Sequence, residues 1–137
     1  MDPLLQAWRW QTFPELNGRG FRCLTEGQDG SMWFGVDDGV YRYDGLSWIL
    51  YTPKNGLVGA PVTVLFSASD GSIYAGTKNG ISKFLNNSWE TIFSFADSSE
   101  GEISDLVQTP DGSLWVATHQ GLINLHKGTI TLYGLGN

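Results

Sequence analysis

The segment Asp29-Gly30-Ser31-Met32-Trp33-Phe34-Gly35 is written three times in this chain. It returns as Asp70-Gly71-Ser72-Ile73-Tyr74-Ala75-Gly76 and as Asp111-Gly112-Ser113-Leu114-Trp115-Val116-Ala117, with a spacing of 41 residues both times. Each copy is followed at one fixed offset by a second glycine pair: Asp38-Gly39, Asn79-Gly80 and Gln120-Gly121. A repeat period in the forties is typical of β-propeller blades, in which each unit is one antiparallel sheet.

Each unit also contains four short apolar runs separated by Gly- or Asn-containing turns, which favours four antiparallel strands per unit. The sequence therefore predicts an all-β fold of three four-stranded propeller blades: blade 1 at 21–60, blade 2 at 61–101 and blade 3 at 102–137. The predicted strands are Phe21–Glu26, Met32–Val36, Val40–Tyr43 and Trp48–Thr52; Val62–Ser67, Ile73–Thr77, Ile81–Leu85 and Trp89–Phe93; and Ile103–Gln108, Leu114–Thr118, Leu122–Leu125 and Thr129–Tyr133.

A further strand is predicted at Trp8–Phe13, within an N-terminal segment and linker at 1–20, because Trp8 aligns with the fourth strands of later units. Known propeller rings hold about four to eight blades, so three blades leave two bare sheet faces. We therefore predict that two copies associate head to tail into a six-bladed ring. The N-terminal strand is expected to lie across the partner's last blade as a clasp.

The second strand of each unit places a large ring two positions before a small residue, as in Trp33 with Gly35. The same pair recurs as Tyr74 with Gly76 and Trp115 with Ala117. A ring beside a gap suits the interdigitated packing of stacked sheets. These aromatic residues are therefore predicted to fill the core rather than to stack on a ligand.

Composition excludes several classes of protein. The chain has 137 residues, 18 glycines, 13% aromatic residues and a formal net charge of −6. The aromatic content argues against disorder, and the absence of a basic stripe argues against nucleic acid as a partner. No apolar run approaches the roughly 18 residues of a membrane-spanning helix. A single cysteine, Cys23 in an apolar run, excludes an internal disulfide and predicts a small buried side chain.

The pattern Val62, Leu65, Asp70-Gly71, Ile73-Tyr74, Gly76-Thr77 and Gly80-Ile81, preceded by Tyr51-Thr52-Pro53-Lys54-Asn55-Gly56-Leu57, resembles the two-component regulator propeller repeat. The resemblance covers roughly residues 8 to 137. It implies a sensor β-propeller of the kind found outside the cytoplasm in histidine kinases and hybrid regulators, several of which sense oligosaccharides. The chain itself opens on Met1–Gln6 without a secretory signal, so we expect either a cytoplasmic location or a leader that has been removed ahead of this sequence.

No catalytic or metal-binding constellation is visible, and no cofactor is expected. His119 and His126 are seven positions apart and lack a third ligand, and the Asp-Gly-Ser triplets are predicted to be turns. A ligand site is expected near the propeller axis, on the face that bears the long connections. Nine residues are candidates there because their types differ between units: Arg22, Thr63 and Ser104 at the first strands, and Asp37, Asp38, Lys78, Asn79, His119 and Gln120 at the second turns.

Three functions remain open from the sequence. The first is a sensory module that binds a small polar ligand, such as a sugar, at the channel mouth. The second is a scaffold without a small-molecule ligand, whose flat face binds a protein. The third, a hydrolase or lyase, is disfavoured because no acid–base pair is visible.

Overall fold

A computed structural model describes residue 18 and residues 20–95 and 103–134. These residues form twelve strands, in chain order β1 Cys23–Glu26, β2 Met32–Val36, β3 Gly39–Tyr43, β4 Trp48–Tyr51, β5 Val62–Ser67, β6 Ile73–Thr77, β7 Gly80–Leu85, β8 Ser88–Ser94, β9 Ile103–Gln108, β10 Leu114–Thr118, β11 Gly121–His126 and β12 Thr129–Gly134. Each group of four consecutive strands is one antiparallel sheet: sheet 1 (β1–β4), sheet 2 (β5–β8) and sheet 3 (β9–β12). The predicted all-β fold of three four-stranded sheets is confirmed. The predicted strand at Trp8–Phe13 lies outside the described residues.

The strand bounds agree with the sequence except at a few ends. Five strands have the predicted limits, but β1 begins at Cys23 rather than Phe21. The third strands begin one residue early, at Gly39, Gly80 and Gly121, because each glycine pairs with the last residue of the second strand. The loop between second and third strands is consequently only two residues long in every sheet.

The Asp-Gly-Ser triplets form the turns that join first and second strands. In each turn the serine backbone N–H donates to the aspartate Oδ1, at 2.9 Å in all three sheets. The glycines between them, Gly30, Gly71 and Gly112, have φ between 87° and 90°, a region that glycine enters without a steric penalty. The prediction that these triplets form turns is confirmed.

The two faces of each sheet have different roles. We call the face that carries Trp33 and Gly35 in sheet 1 the forward face, and the opposite face the rear face; the same names apply to the equivalent positions of sheets 2 and 3. Trp33 is 2% exposed because it packs between Phe84 and Trp89 of the next sheet. The forward face of sheet 1 therefore packs on the rear face of sheet 2, and we call this contact the first seam.

A glycine on each forward face lets the next sheet approach. A methyl group at Gly35 would lie 2.7 Å from the Val62 carbonyl oxygen, and one at Gly76 would lie 2.9 Å from Ile103 Cγ2. Gly76 thus belongs to the second seam, where sheet 2 packs on a buried cluster of sheet 3: Ile103, Leu106, Leu114, Val116 and Ile123. The ring-beside-gap packing predicted from the sequence is confirmed at both seams.

The connection from sheet 1 to sheet 2 is anchored on the second sheet. It begins with a 3₁₀ turn at Pro53–Asn55 that is capped by the Thr52 hydroxyl. Leu57 follows and is 4% exposed in the core of the first seam. The Val58 backbone N–H then donates to the buried Ser82 hydroxyl at 2.8 Å. Among residues 18, 20–95 and 103–134, no helix has the length and apolar character needed to cross a membrane.

The glycine that opens each third strand provides a test of the fold. Gly80 has φ of 148°, and a methyl group there would overlap the Phe93 carbonyl oxygen. Gly112 has φ of 87° with nothing within 4 Å of such a methyl group. Gly112→Ala is expected to lower the free energy of unfolding by about 1–2 kcal/mol, the cost of positive φ alone.

Gly80→Ala is expected to lower the free energy of unfolding by at least about 2 kcal/mol more, since the backbone of β8 must also shift. Urea unfolding followed by tryptophan fluorescence measures both values. Equal losses for the two variants would show that β8 does not press on Gly80.

Candidate functional site

Strand directions bring the candidate residues to one end of the three sheets. Because neighbouring strands are antiparallel, the loops between second and third strands lie at the same end as the connections between sheets. We call this the connection end, and the end with the Asp-Gly-Ser turns the turn end. The innermost strands are β1, β5 and β9, which contact one another across the seams. Thr63 and Ser104, near the start of β5 and β9, therefore lie at the inner edge of the three sheets.

Three candidates from different elements line one pocket at the connection end. Thr63 of β5, Ser104 of β9 and His119 of the β10–β11 loop surround a space of about 490 Å³. The Thr63 hydroxyl donates to the Ile103 carbonyl at 3.0 Å, and the Ser104 hydroxyl donates to the Ala117 carbonyl at 3.3 Å. Each hydroxyl oxygen keeps lone pairs that can accept a hydrogen bond. The pocket therefore offers acceptors from two hydroxyls beside an exposed imidazole.

Arg22 and Asp37 form an ion pair instead of lining that pocket. The Arg22 Nε lies 2.8 Å from Asp37 Oδ1, and the two side chains are 44% and 48% exposed. Arg22 borders a separate apolar recess on the rear face of sheet 1, together with Phe21, Cys23, Leu24 and Phe34.

The remaining candidates are less closely grouped. The Asn79 carbonyl accepts from the Phe95 backbone N–H at 2.9 Å, and the Asn79 side chain packs against Gly59 in the connection between sheets 1 and 2. Asn79 therefore has a structural role. Lys78 and Asp38 are exposed in their two-residue loops. Gln120 borders a pocket of about 240 Å³ with Phe93, Leu122 and Tyr133.

Thr118 completes the pocket at the connection end, and the sequence analysis did not select it. Its side chain lines the pocket beside Ser104 and His119, while its hydroxyl donates to the Gly121 carbonyl at 2.9 Å. Thr77 occupies the same position one repeat earlier and makes the same kind of bond to Gly80. Sheet 1 has Val36 there. The change from valine in the first repeat to threonine in the other two was the sequence signal that could have identified Thr118.

The turn end carries a different arrangement, in which a cation of the third strand meets the aspartate of the turn. Arg42 Nη2 lies 2.8 Å from Asp29 Oδ2, and Lys83 Nζ lies 3.5 Å from Asp70 Oδ2. Arg42 also lies over the Trp33 ring, 5.0 Å from its centroid. A hydrogen bond from the Ser31 backbone, followed by contacts with Arg42, holds the pKa of Asp29 below its usual value. These contacts stabilise the turns.

Sheet 3 replaces that cation with Asn124, and its turn is held by hydroxyls. The Thr109 hydroxyl and then the Ser113 backbone and side chain lower the pKa of Asp111 to about 2. Ser113 Oγ also lies 2.9 Å from His126 Nδ1. Asp111 and His126 thus both contact Ser113, which is 4% exposed. In a hydrolase triad the carboxylate instead contacts the histidine and orients its imidazole, so this arrangement differs from such a triad. Residues 20–95 and 103–134 hold no group of three metal-binding side chains.

Cys23 lies at the edge of the first seam. Its thiol lies 3.7 Å from the Val62 carbonyl oxygen, to which it donates, and it packs over Gly35. Burial raises the pKa of the Cys23 thiol to about 11, against smaller opposing effects of the Gly35 backbone and Arg22. The thiol is half-buried and packs as the small core side chain that the sequence predicted.

Comparison with known structures places these three sheets among β-propeller domains. The chain is similar to the extracellular domain of the putative hybrid two component system BT3049 from B. thetaiotaomicron, with a TM-score of 0.79, 16% identity, and coverage of 93% of this chain and 20% of that one. It is also similar to the extracellular domain of the putative one component system BT4673 from the same organism, with a TM-score of 0.72, 22% identity and coverage of 82% and 16%.

A third similar structure is virginiamycin B lyase from Staphylococcus aureus, with a TM-score of 0.69, 17% identity and coverage of 89% and 44%. The chain thus spans less than half the length of each of these proteins. Its sequence also matches a family model: residues 97–120 match the two component regulator propeller. The resemblance to this repeat is therefore confirmed. A comparison with curated proteins gives no match.

The Cys23 thiol gives a pH-dependent prediction. Raising the thiol pKa from 9.0 to about 11 reduces the thiolate fraction about 100-fold near pH 8. Reaction with a disulfide reagent at that pH is therefore expected to be at least tenfold slower in the folded chain than in urea. The thiol pKa is higher in the folded chain than in the unfolded chain. Burial of the neutral thiol therefore contributes to the free energy of unfolding in full below about pH 9, and this contribution is lost as the pH rises through 11.

A Cys23→Ala variant provides the control for the second effect, because its stability should fall less steeply between those two pH values. Equal reaction rates in the folded and unfolded chains would contradict burial of the thiol.

Proposed function

We propose that this chain is a non-catalytic, ligand-binding part of a sensory β-propeller, and that a small polar ligand binds at the connection end. The pocket between Thr63, Ser104 and His119 is the observation that carries the proposal. It lies at the inner strands, where the second and third repeats present different polar side chains on one framework. Family resemblance to the two component regulator propeller supports the sensory role.

An oligosaccharide suits this pocket better than a charged metabolite. Its polar groups are the hydroxyl oxygens of Thr63, Ser104 and Thr118 and the imidazole of His119, which match the hydroxyl groups of a sugar. Asp37 already pairs with Arg22 outside the pocket, so neither side chain is needed to balance a ligand charge there.

A thermal-shift screen of neutral and acidic oligosaccharides tests the proposal, since a ligand that binds the folded state raises the melting temperature. Ser104→Ala and His119→Ala are each expected to weaken binding of a hit by about fivefold to tenfold, the value of one hydrogen bond. Ser88→Ala is a matched control, because its hydroxyl also donates to a carbonyl, Leu85 at 3.4 Å, but lies at the turn end.

A hit whose melting shift survives both pocket variants would contradict this site. An absence of any hit would favour the alternative, a scaffold that binds a protein on the connection end.

We also propose that the two terminal faces join head to tail, so that two copies form a six-bladed ring. On the forward face of sheet 3, Val107, Leu122 and Tyr133 are 46–52% exposed. By the 41-residue equivalence, Ala117 stands where Gly35 and Gly76 stand, and Phe21 stands where Val62 and Ile103 stand. Because Gly35 meets Val62 and Gly76 meets Ile103, Ala117 should meet Phe21 of the second copy. Phe21 is 51% exposed and available for this contact.

Light scattering coupled to size exclusion is expected to give twice the chain mass of 15.1 kDa for the wild-type protein. Leu122→Lys should return the mass to that of one chain, because it introduces a charge into an apolar contact. Leu46→Lys, at a residue 92% exposed in the β3–β4 turn, should leave the dimer intact. A wild-type monomer would contradict the ring. Deleting residues 1–13 tests the N-terminal clasp in the same measurement, as loss of the dimer is expected.

A further inference from the structure

The two seams between the sheets are filled differently at the turn end. In the first seam, the rings of Trp33, Tyr51, Phe84 and Trp89 contact one another, and all six centroid distances lie between 5.0 and 6.1 Å. Trp33, Phe84 and Trp89 are buried in the core between sheets 1 and 2, and Tyr51 packs against that core. The first seam is therefore closed by aromatic side chains from both sheets.

In the second seam, the four equivalent positions, 41 residues on, carry Tyr74, Ile92, Leu125 and Ile130. Three aromatic rings are thus replaced by aliphatic side chains, and one indole by a phenol. The structure shows a pocket of about 310 Å³ at this place, lined by all four residues. Ile130 is 45% exposed, whereas its counterpart Trp89 is 7% exposed. The smaller side chains at these positions therefore leave an open space between sheets 2 and 3.

The polar groups that line this pocket are hydrogen-bond donors or cations. Lys83, His126 and Lys127 line it, together with the hydroxyl of Thr129. The counterparts of Lys83, His126 and Lys127 in the first seam are Arg42, Leu85 and Asn86. Lys127 therefore adds one cation, and His126 one imidazole, where the rings are lost. No carboxylate is among the described lining residues. Of the two nearby aspartates, Asp70 faces Lys83 at 3.5 Å and Asp111 is held by hydroxyls.

We propose that this pocket binds a small planar aromatic carboxylate, with its ring between sheets 2 and 3 and its carboxylate toward Lys83 and Lys127. The ring would occupy the space that Trp89 fills in the first seam, and it would lie beside Tyr74 and Leu125. An apolar space left by a missing side chain can bind an aromatic molecule. The flanking ammonium groups favour an anionic substituent over a neutral one. This site is at the opposite end of the sheets from the sugar-binding pocket proposed above and does not depend on it.

Indole-3-acetate is the probe, with neutral indole and acetate as comparison compounds. Titration into the full chain is expected to shift the backbone amide signals of Gly112 and Gly128, which border the pocket. A dissociation constant on the order of 1 mM or tighter is expected for a ligand of this size. Indole should bind at least about threefold more weakly, and acetate should cause no shift at these glycines.

Two variants fill the pocket with the side chains of the first seam. Ile130→Trp restores the counterpart of Trp89, and Ile92→Tyr restores that of Tyr51. Each is expected to reduce affinity for indole-3-acetate at least tenfold and to raise the melting temperature. Leu46→Trp adds an indole at an exposed turn and serves as the control, with no change in affinity. Lys127→Met should weaken indole-3-acetate binding while leaving that of indole unchanged.

Unchanged affinity in a folded Ile130→Trp or Ile92→Tyr variant would overturn the proposal, as would the absence of shifts at both glycines at millimolar probe. Equal affinity for indole and indole-3-acetate would overturn the role of the two lysines. Each readout is independent of the oligosaccharide screen, so failure here and failure at the connection end are distinguishable.

Discussion

Close approach of neighbouring sheets is the constraint on which the structure depends. An ordinary side chain at Gly35 or Gly76 would overlap Val62 or Ile103 of the next sheet. With glycine there, the ring two positions earlier can reach across the seam, and Trp33 becomes almost fully buried. The apolar area removed from water by such rings is the main source of stability in a sheet that is otherwise only four strands wide.

Hydrogen bonds between turns keep the sheets in register at the turn end. The Gln28 side chain donates to the Ala68 and Ser69 carbonyls, at 3.2 and 2.9 Å, and the Ser69 backbone N–H donates to Gln108 Oε1 at 2.9 Å. At the connection end, the Thr63 hydroxyl bonds to the Ile103 carbonyl. The second seam is thus fixed by polar contacts at both ends, the first seam by polar contacts at the turn end, and both by apolar packing between. Such rigidity is useful for a binding pocket, because side chains from different sheets keep their relative positions.

The repeat made the fold predictable from sequence. The turn residues Asp29, Asp70 and Asp111 recur at one spacing, and the strands between them follow from simple alternation. The first strand of sheet 1 was predicted too long at Phe21, because alternation does not show where pairing to β2 begins. The third strands were predicted to begin one residue too late. Glycine tolerates positive φ and is therefore typical of a turn, but Gly80 already pairs with Thr77 of the second strand.

The candidate site was predictable only in its location. The period placed Thr63, Ser104 and His119 at one end, and the structure brings them to one pocket. It did not indicate that Arg22 pairs with Asp37, since a contact over 15 positions depends on side-chain reach rather than on strand order. The space at the second seam was also missed. Its signal lay in the aliphatic residues Ile92, Leu125 and Ile130 at positions that are aromatic one repeat earlier, and no local motif marks such a loss.

Among the described residues, the main contacts between sheets join neighbours along the chain: β1 meets β5, and β5 meets β9. A gene that gains or loses one 41-residue copy therefore leaves the remaining seams unaltered, since each new unit brings its own forward and rear faces. Copy number can thus drift by duplication while every unit stays foldable. The side chains of one seam can then change while the packing of the neighbouring seam is preserved.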